Sequence, residues 1–198
     1  MRRFLKSRLA LSTVVTSLII LVVSVLLAGV VTYYAINVTS TRVQEEDLSI
    51  MGLHIWVPSN GDSPEAAFVI INTGGRDVII SKITVRGQAA SIPASDGGLK
   101  DIVYATTNKA VNQDLEYILA VCTGSDTVQI DSSPADDIVL SVATASVTLE
   151  SGNSMVVYVS MPDSITLNDI GLTVGVTVFT SQAMYYQECN VQTYVPGI

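Results

Sequence analysis

The chain has 198 residues, of which 48% are hydrophobic, and its formal net charge is −8. All 18 acidic residues lie at or after Glu45, whereas four of the ten basic residues lie before Leu9. The part after this basic start carries a net charge of −12. This charge excludes a nucleic-acid-binding role, which needs a clustered set of Lys and Arg side chains.

A long uncharged segment, Leu9 to Thr41, follows the basic start and precedes the acidic cluster Glu45, Glu46 and Asp47. A single segment can span lipid only as a helix, because a helix satisfies its own backbone hydrogen bonds. The segment therefore predicts a transmembrane helix. Positive charge before it and negative charge after it predict a cytoplasmic N-terminus and a C-terminal domain outside the cell.

This helix is longer than a membrane requires. Roughly 33 helical residues span about 50 Å, whereas the hydrocarbon core of a bilayer is about 30 Å thick. The excess length suggests a helix that first lies in the membrane and later packs against copies of itself.

Three interpretations of the first 43 residues differ in the fate of this helix. A secretory signal peptide needs small residues at positions −3 and −1 of its cleavage site, but Leu26 would occupy position −3 for a cut after Ala28, and Leu27 would occupy it for a cut after Gly29. A permanent transmembrane anchor agrees with the length and the charges. The third interpretation depends on a short motif at the start of the helix.

The motif is Arg8-Leu9-Ala10-Leu11-Ser12-Thr13-Val14-Val15, and it resembles the processing site, or class III signal peptide, of archaeal type IV pilin-like proteins. In that family a short basic leader is cut on the cytoplasmic side of the hydrophobic helix, so the helix stays on the mature subunit and forms the filament core. The matching positions make Ala10 the last leader residue and Leu11 the new N-terminus. The family usually has Lys or Arg directly before the small residue, whereas here Leu9 stands there and Arg8 is one position further back.

The resemblance implies a leader over residues 1–10, a transmembrane or filament-core helix over 11–43 and an extracellular domain over 44–198. It implies a structural subunit of an extracellular type IV pilus-like filament that serves adhesion or surface attachment. The implied partners are further copies of the chain, a prepilin-type peptidase, the pilus assembly machinery and the membrane that holds the precursor. The alternative is a monomeric, membrane-anchored β-sandwich that binds a partner at the cell surface.

From Leu48 onward the sequence changes to short alternating segments typical of strands. Ala66 to Val85 contains two β-branched runs joined by a Gly-Gly turn, which predicts a hairpin. Leu115 to Thr123 and Ile138 to Leu149 predict further strands. Roughly nine strands without an amphipathic helix between them predict an antiparallel sandwich, and residues 72–87 resemble the strand–turn–strand of immunoglobulin-like domains in archaeal surface proteins. Residues 40–47 are predicted to form a polar hinge.

The sequence contains few residues that could carry chemistry. His54 is the only histidine, so a multi-histidine metal site is excluded, and strand alternation predicts that it lies opposite Leu53, Ile55 and Val57. Motifs of nucleotide-binding loops, zinc proteases and serine hydrolases are missing from the sequence. The acidic turn that contains Asp131, Asp136 and Asp137 is predicted to be a solvated loop, although calcium favours such ligands. We therefore expect no enzyme activity, no cofactor and no metal site.

Two modifications are suggested by residue type. Cys122 and Cys189 are the only cysteines, and outside the cell such a pair is expected to be oxidised, although two buried free thiols are the alternative. The disulfide would close a loop of about 67 residues and contribute on the order of 4 kcal/mol. Asn37-Val38-Thr39 is the only N-x-S/T sequence and makes Asn37 a candidate N-glycosylation site, within a helix that packing would bury.

Overall fold

The computed structural model describes residues 2–43, 45–90, 102–118, 127–131, 137–162 and 165–195. Its first element is a single long helix, α1, which comprises Arg2–Val43. The chain divides into two compact units, residues 1–44 and residues 45–198. The second unit is rich in β-structure, which confirms the predicted fold class of one long N-terminal helix followed by an all-β domain.

The described part of the domain contains twelve strands and one 3₁₀ helix, Leu167–Asp169. The strands are β1 Leu48–Pro58, β2 Glu65–Asn72, β3 Val78–Val85, β4 Gln88–Ala89, β5 Ile102–Thr107, β6 Thr127–Val128, β7 Ile138–Val139, β8 Ser141–Val142, β9 Val147–Leu149, β10 Ser154–Ser160, β11 Thr173–Thr180 and β12 Met184–Tyr194.

Ten of these strands form one continuous sheet in the order β4-β3-β11-β12-β1-β2-β10-β5-β8, with β9 also pairing with β3. β6 and β7 form a separate pair. Strand β12 joins the two halves of the sheet: its residues 184–190 pair with β11, and its residues 191–194 pair with β1. The β1–β12 pairing is parallel and the other pairings described are antiparallel.

The two halves of the sheet pack face to face around the main hydrophobic core, as in a β-sandwich. Ile55, Phe68 and Val157 enter this core from one half, and Ile83 and Val176 enter it from the other. Apolar burial of this kind is the largest favourable contribution to folding.

A second hydrophobic cluster lies on the opposite face of the β1-β2-β10-β5 half, where Trp56, Val69 and Tyr158 are buried. It is covered by Leu115 and Tyr117 from an extended segment, and we name residues 114–118 the covering segment. Strands β2 and β10 are therefore buried on both faces. This explains their continuous apolar sequences, which are typical of strands covered on two sides.

Three sequence predictions are corrected by this arrangement. The predicted hairpin over residues 66–85 does not form, because β2 pairs with β1 and β10 in one half of the sheet, whereas β3 pairs with β4, β9 and β11 in the other. Residues 115–118 form no strand, because Leu115 and Tyr117 pack onto the face of the sheet instead of pairing at its edge; residues 119–123 lie outside the described part. The predicted strand Ile138–Leu149 is divided into β7, β8 and β9. The division occurs because these strands pair in turn with β6, β5 and β3.

Candidate functional site: the apolar helix and the start of the domain

The surface of α1 is apolar around its whole circumference. Its segment Ser12–Thr41 has a mean hydropathy of 2.9 and is long and apolar enough to cross a membrane. Its large hydrophobic side chains are between 43% and 73% exposed. A helix that is hydrophobic on all sides requires an apolar environment all round, such as lipid or neighbouring helices.

Five hydroxyl side chains of α1 bond to the helix itself. Thr16 Oγ1, Ser24 Oγ and Thr32 Oγ1 donate to the carbonyl oxygens four residues earlier, at 2.9, 2.6 and 2.8 Å. Thr41 makes the same bond, and Ser17 donates to the carbonyl oxygen three residues earlier. The hydroxyl donors therefore need no partner outside the helix, which suits burial in lipid or in a helix bundle.

Ala10 and Leu11, the predicted processing residues, both lie within α1, which is continuous from Arg2. The helix ends at Val43. At 1.5 Å per residue its 42 residues extend for roughly 63 Å, about twice the thickness of the hydrocarbon core of a bilayer.

Asn37, the candidate glycosylation site, lies in a regular turn of α1. Its Nδ2, the atom that a glycan would join, donates to the carbonyl oxygen of Tyr33 at 3.1 Å. Its own carbonyl oxygen accepts from Thr41 Oγ1 at 2.9 Å. Glycosylation of Asn37 would require Nδ2 to give up its bond to the Tyr33 carbonyl oxygen. The modification stays a prediction.

The first residues of the domain, Glu45 to Asp47, are tied to the β2–β3 turn. The amide of Gly75 donates to the Glu45 carbonyl at 3.2 Å, and the amides of Thr73 and Gly74 donate to the Asp47 carbonyl at 3.0 Å each. A Cβ on Gly74 would lie 2.7 Å from both the Asp47 amide nitrogen and the Glu45 carbonyl oxygen. This close approach of two backbone segments explains why a glycine is needed at position 74.

Glu46 adds a side-chain anchor to the β11–β12 turn. Its carboxylate is only 5% exposed; Oε1 accepts a hydrogen bond from Thr180 Oγ1, and Oε2 lies 3.8 Å from Arg76 Nη2. Tyr185 donates its hydroxyl proton to the Glu46 carbonyl oxygen at 3.3 Å. In the amide orientation that satisfies both groups, Gln182 accepts from Arg76 Nη2 at 2.8 Å.

Within the range 40–47, which the sequence predicts as a polar hinge, residues up to Val43 belong to α1, and residues 45–47 are bonded to two turns of the domain. The sequence does not predict these bonds, because its acidic residues are assigned to the hinge. A carboxylate that pairs with an Arg thirty positions away cannot be recognised from local composition.

His54 lies on the strand face opposite Ile55 and Val57, as predicted from strand alternation. Its ring stacks on Trp56 at a centroid distance of 5.2 Å, and its Nε2 lies 3.0 Å from Asp114 Oδ1. Trp56 packs edge-on against Tyr117 at 6.3 Å, and Tyr117 stacks on Tyr194 at 4.2 Å. This row of rings holds the covering segment against the sheet.

Tyr117 and Glu65 each use a polar side-chain group to bond to a nearby backbone group. Burial, together with the Glu65 carboxylate and Tyr194, raises the pKa of Tyr117 to about 12, and its hydroxyl donates to the Ser63 carbonyl oxygen at 3.0 Å. Glu65 is buried and accepts from the amide of Ile118 at 3.2 Å. Both groups therefore have structural partners.

A cavity of about 130 Å³ lies between the covering segment and Tyr158. Among the residues that the structure describes, no group of three or more His, Cys, Asp or Glu side chains is arranged to hold a metal ion. Asp131 and Asp137 belong to the described residues, whereas Asp136 lies outside them, so the predicted acidic loop is only partly described.

Cys189 is a half-buried thiol whose pKa burial raises to about 11, against the opposing effect of a backbone hydrogen bond at Ile55. It forms no disulfide with any residue in the described part of the chain. Cys122 lies outside that part. The Cys122–Cys189 disulfide therefore stays a prediction.

No protein-family model matches this chain, and no curated protein matches its sequence. Its class is therefore defined by architecture alone: a β-sandwich preceded by an apolar helix that is long enough to cross a membrane.

Proposed function

We propose that this protein is a structural subunit of an extracellular filament of the archaeal type IV pilin kind, assembled through α1. The observation that carries the proposal is the apolar surface of Ser12–Thr41, which is exposed all round and contains polar groups that bond within the helix. Lipid can cover about 20 residues of such a helix. The remaining length is accounted for when copies of the helix cover one another.

The mechanism is assembly and not catalysis. The membrane holds the precursor with its basic N-terminus in the cytoplasm, and a prepilin-type peptidase removes the leader after Ala10. The helix that begins at Leu11 then leaves the lipid and packs against other copies of α1. Lipid and neighbouring helices are similar apolar surroundings, so close packing and the assembly machinery must supply the driving force.

The β-sandwich coats the outside of the filament in this proposal and makes the contacts of adhesion or surface attachment. The second candidate, a monomeric anchored binding module, has the same helix and domain but leaves the extra helix length unexplained.

The proposal is tested by placing a charge in the middle of the helix. Val22→Glu should abolish surface filaments seen by electron microscopy, because a carboxylate in a helix bundle is costly to bury without a partner. Val22→Leu keeps the surface apolar and is the matched control. The domain should stay folded in both variants, as judged by the fluorescence of Trp56. Normal filaments from the Val22→Glu variant would contradict the proposal.

A further inference from the structure

The outer face of the β3-β11-β12 half of the sheet is unusually poor in charge. Val174, Val176 and Val178 point into the core, so the alternate residues Thr173, Gly175, Thr177 and Phe179 lie on the outer side. We name this surface the β11 face; the outward residues of its neighbours on β3 and β12 are Ile79, Lys82, Thr84, Met184, Tyr186, Glu188 and Asn190. Lys82 and Glu188 are the only charged residues in this set.

The β11 face carries the two most exposed large hydrophobic side chains among the described residues of the domain. Met184 is 71% exposed and Tyr186 is 62% exposed. The ring of Tyr186 lies over Gly175, where a Cβ would be only 2.3 Å from its Cε2 atom. Exposed aromatic and methionine side chains with few charges around them are typical of protein interfaces.

Lys82 gives the β11 face one defined positive charge. Its Nζ lies 4.2 Å from the centroid of the Phe179 ring, and Phe179 pairs with Met184 on β12. The ammonium group is thus held against the aromatic surface by a cation–π interaction while the side chain stays exposed.

The opposite side of the domain presents negative charge. In the covering segment Leu115 and Tyr117 point inward, whereas Asp114 and Glu116 are exposed. Asp114 keeps its Oδ1 contact with His54 Nε2 at 3.0 Å. The Asp114 side chain is 85% exposed. Two carboxylates at alternate positions of an extended chain stand about 7 Å apart, which lets both approach one ammonium group.

We infer that the β11 face of one copy docks on the covering segment of the next, with Lys82 against Asp114 and Glu116. The domain has five basic residues against eighteen acidic ones, so two copies repel except where a positive site meets a negative one. The two surfaces lie on opposite sides of one sandwich. A contact between them is therefore heterologous and repeats from copy to copy. Such a contact generates rings or open helical arrays instead of two-fold dimers, and the open array is the form that a filament needs.

The inference rests on the proposed function in one respect: packing of α1 brings the domains side by side. It assigns the contact between neighbouring domains to these two surfaces. It also commits to one occupant for the β11 face, a second copy of this chain.

The test is zero-length cross-linking of the full-length protein on cells with a carbodiimide, which joins a lysine amine to a carboxylate only when the two groups are in contact. The expected result is a ladder of covalent dimers, trimers and higher oligomers on a denaturing gel. Peptide mass spectrometry should find Lys82 joined to Asp114 or Glu116. Lys82→Arg keeps the positive charge but removes the reactive amine, so it should lose the ladder while surface assembly is unchanged.

Lys109→Arg is the matched control and should keep the ladder. Lys82→Glu should lose the native contact, and the double variant Lys82→Glu/Glu116→Lys should recover a ladder through the reversed pair. The inference would be overturned by a ladder that persists in Lys82→Arg or by a product that stops at the dimer. It would also be overturned by a Lys82 cross-link within one chain. Filaments seen by microscopy without any ladder would overturn it too, while leaving the proposed function intact.

Discussion

Glu46 is the residue whose environment differs most from what its sequence position suggests. It belongs to an acidic cluster at the end of an apolar helix, yet its carboxylate is buried against Arg76 and Thr180. A buried carboxylate is tolerated only when partners replace its water. Here Oε1 accepts from Thr180 beside the β11–β12 turn, and Oε2, which has no hydrogen-bond partner among the described residues, lies 3.8 Å from Arg76 Nη2 of the β2–β3 turn. The residue thus connects the start of the domain to both turns.

Truncation of Glu46 should therefore destabilise the domain. Glu46→Ala leaves Arg76 without its carboxylate partner, and we expect a loss of roughly 1–3 kcal/mol in the free energy of unfolding. Urea unfolding of the detergent-solubilised chain, followed by Trp56 fluorescence, measures this. Glu45→Ala removes an exposed carboxylate and should change the midpoint little. Equal midpoints for the two variants would show that the Glu46 anchor adds nothing.

Substitution of Gly74 tests the same region by changing a close contact between two backbone segments. A Cβ at this position would lie 2.7 Å from main-chain atoms of Glu45 and Asp47, which cannot move aside as a side chain can. Gly74→Ala should lower the free energy of unfolding by about 1–3 kcal/mol. Gly29→Ala is the control, since its Cβ would meet nothing within 4 Å. If both variants unfold at the urea concentration of the unaltered chain, the close approach at Gly74 is not maintained in solution.

Asp169 gives the domain a defined dependence on pH. Hydrogen bonds from Thr166 and Arg86 lower the pKa of its carboxyl group; Arg86 Nη1 lies 2.6 Å from Oδ1, and the Thr166 hydroxyl 2.8 Å from Oδ2. A carboxyl group whose pKa is lower in the folded state stabilises the fold above its ordinary pKa. That contribution is lost as the pH falls through the lowered value.

Asp169→Asn should therefore be less stable than the unaltered chain at pH 7, and the difference should shrink as the pH falls below about 4. Urea unfolding midpoints at pH 7 and at several acidic pH values measure it. Thr166→Val removes the hydroxyl bond but keeps the bond from the Thr166 amide to Oδ2 at 2.8 Å, so it should show the same trend to a smaller degree. A difference that stays constant from pH 7 to acid would mean that the pKa of Asp169 is not lowered.

At the scale of elements, the helix was predictable and the details of the strands were less so. α1 follows from composition alone, because an uncharged apolar segment of this length has one stable form in lipid. The strands β1, β2, β3, β10 and β11 follow from alternation and β-branched composition. Their burial on one or two faces depends on which segments cover them, and this is set by distant parts of the chain.

The region from Ile138 to Leu149 shows why the remainder could not be predicted. Its alternating pattern indicates one strand, but the chain changes partners twice within it and forms three short ones. Alternation reports which side chains are apolar on one face; it does not report which neighbour supplies the hydrogen bonds. The covering segment has the same ambiguity, because Leu115 and Tyr117 alternate as they would in a strand.

At the scale of the whole molecule, the candidate site was predictable where it depends on composition. The apolar surface of α1 and the lack of recognisable catalytic motifs can be read from the sequence. The anchor at Glu46 and the two complementary surfaces of the domain could not be, because each combines residues from separate strands. In the proposed function, α1 packs against other copies of α1, and the sandwich domain lies on the outside of the filament.

The most direct test of this account is the N-terminal mass of the protein taken from surface material. The account predicts a chain that begins at Leu11, or within two residues of it, because the leader is removed and the helix is kept. An intact N-terminus at Met1 or Arg2 would contradict the filament proposal and indicate an anchored domain. A chain that begins beyond Ser24 would contradict it as well, since the helix would then have been removed by ordinary secretion.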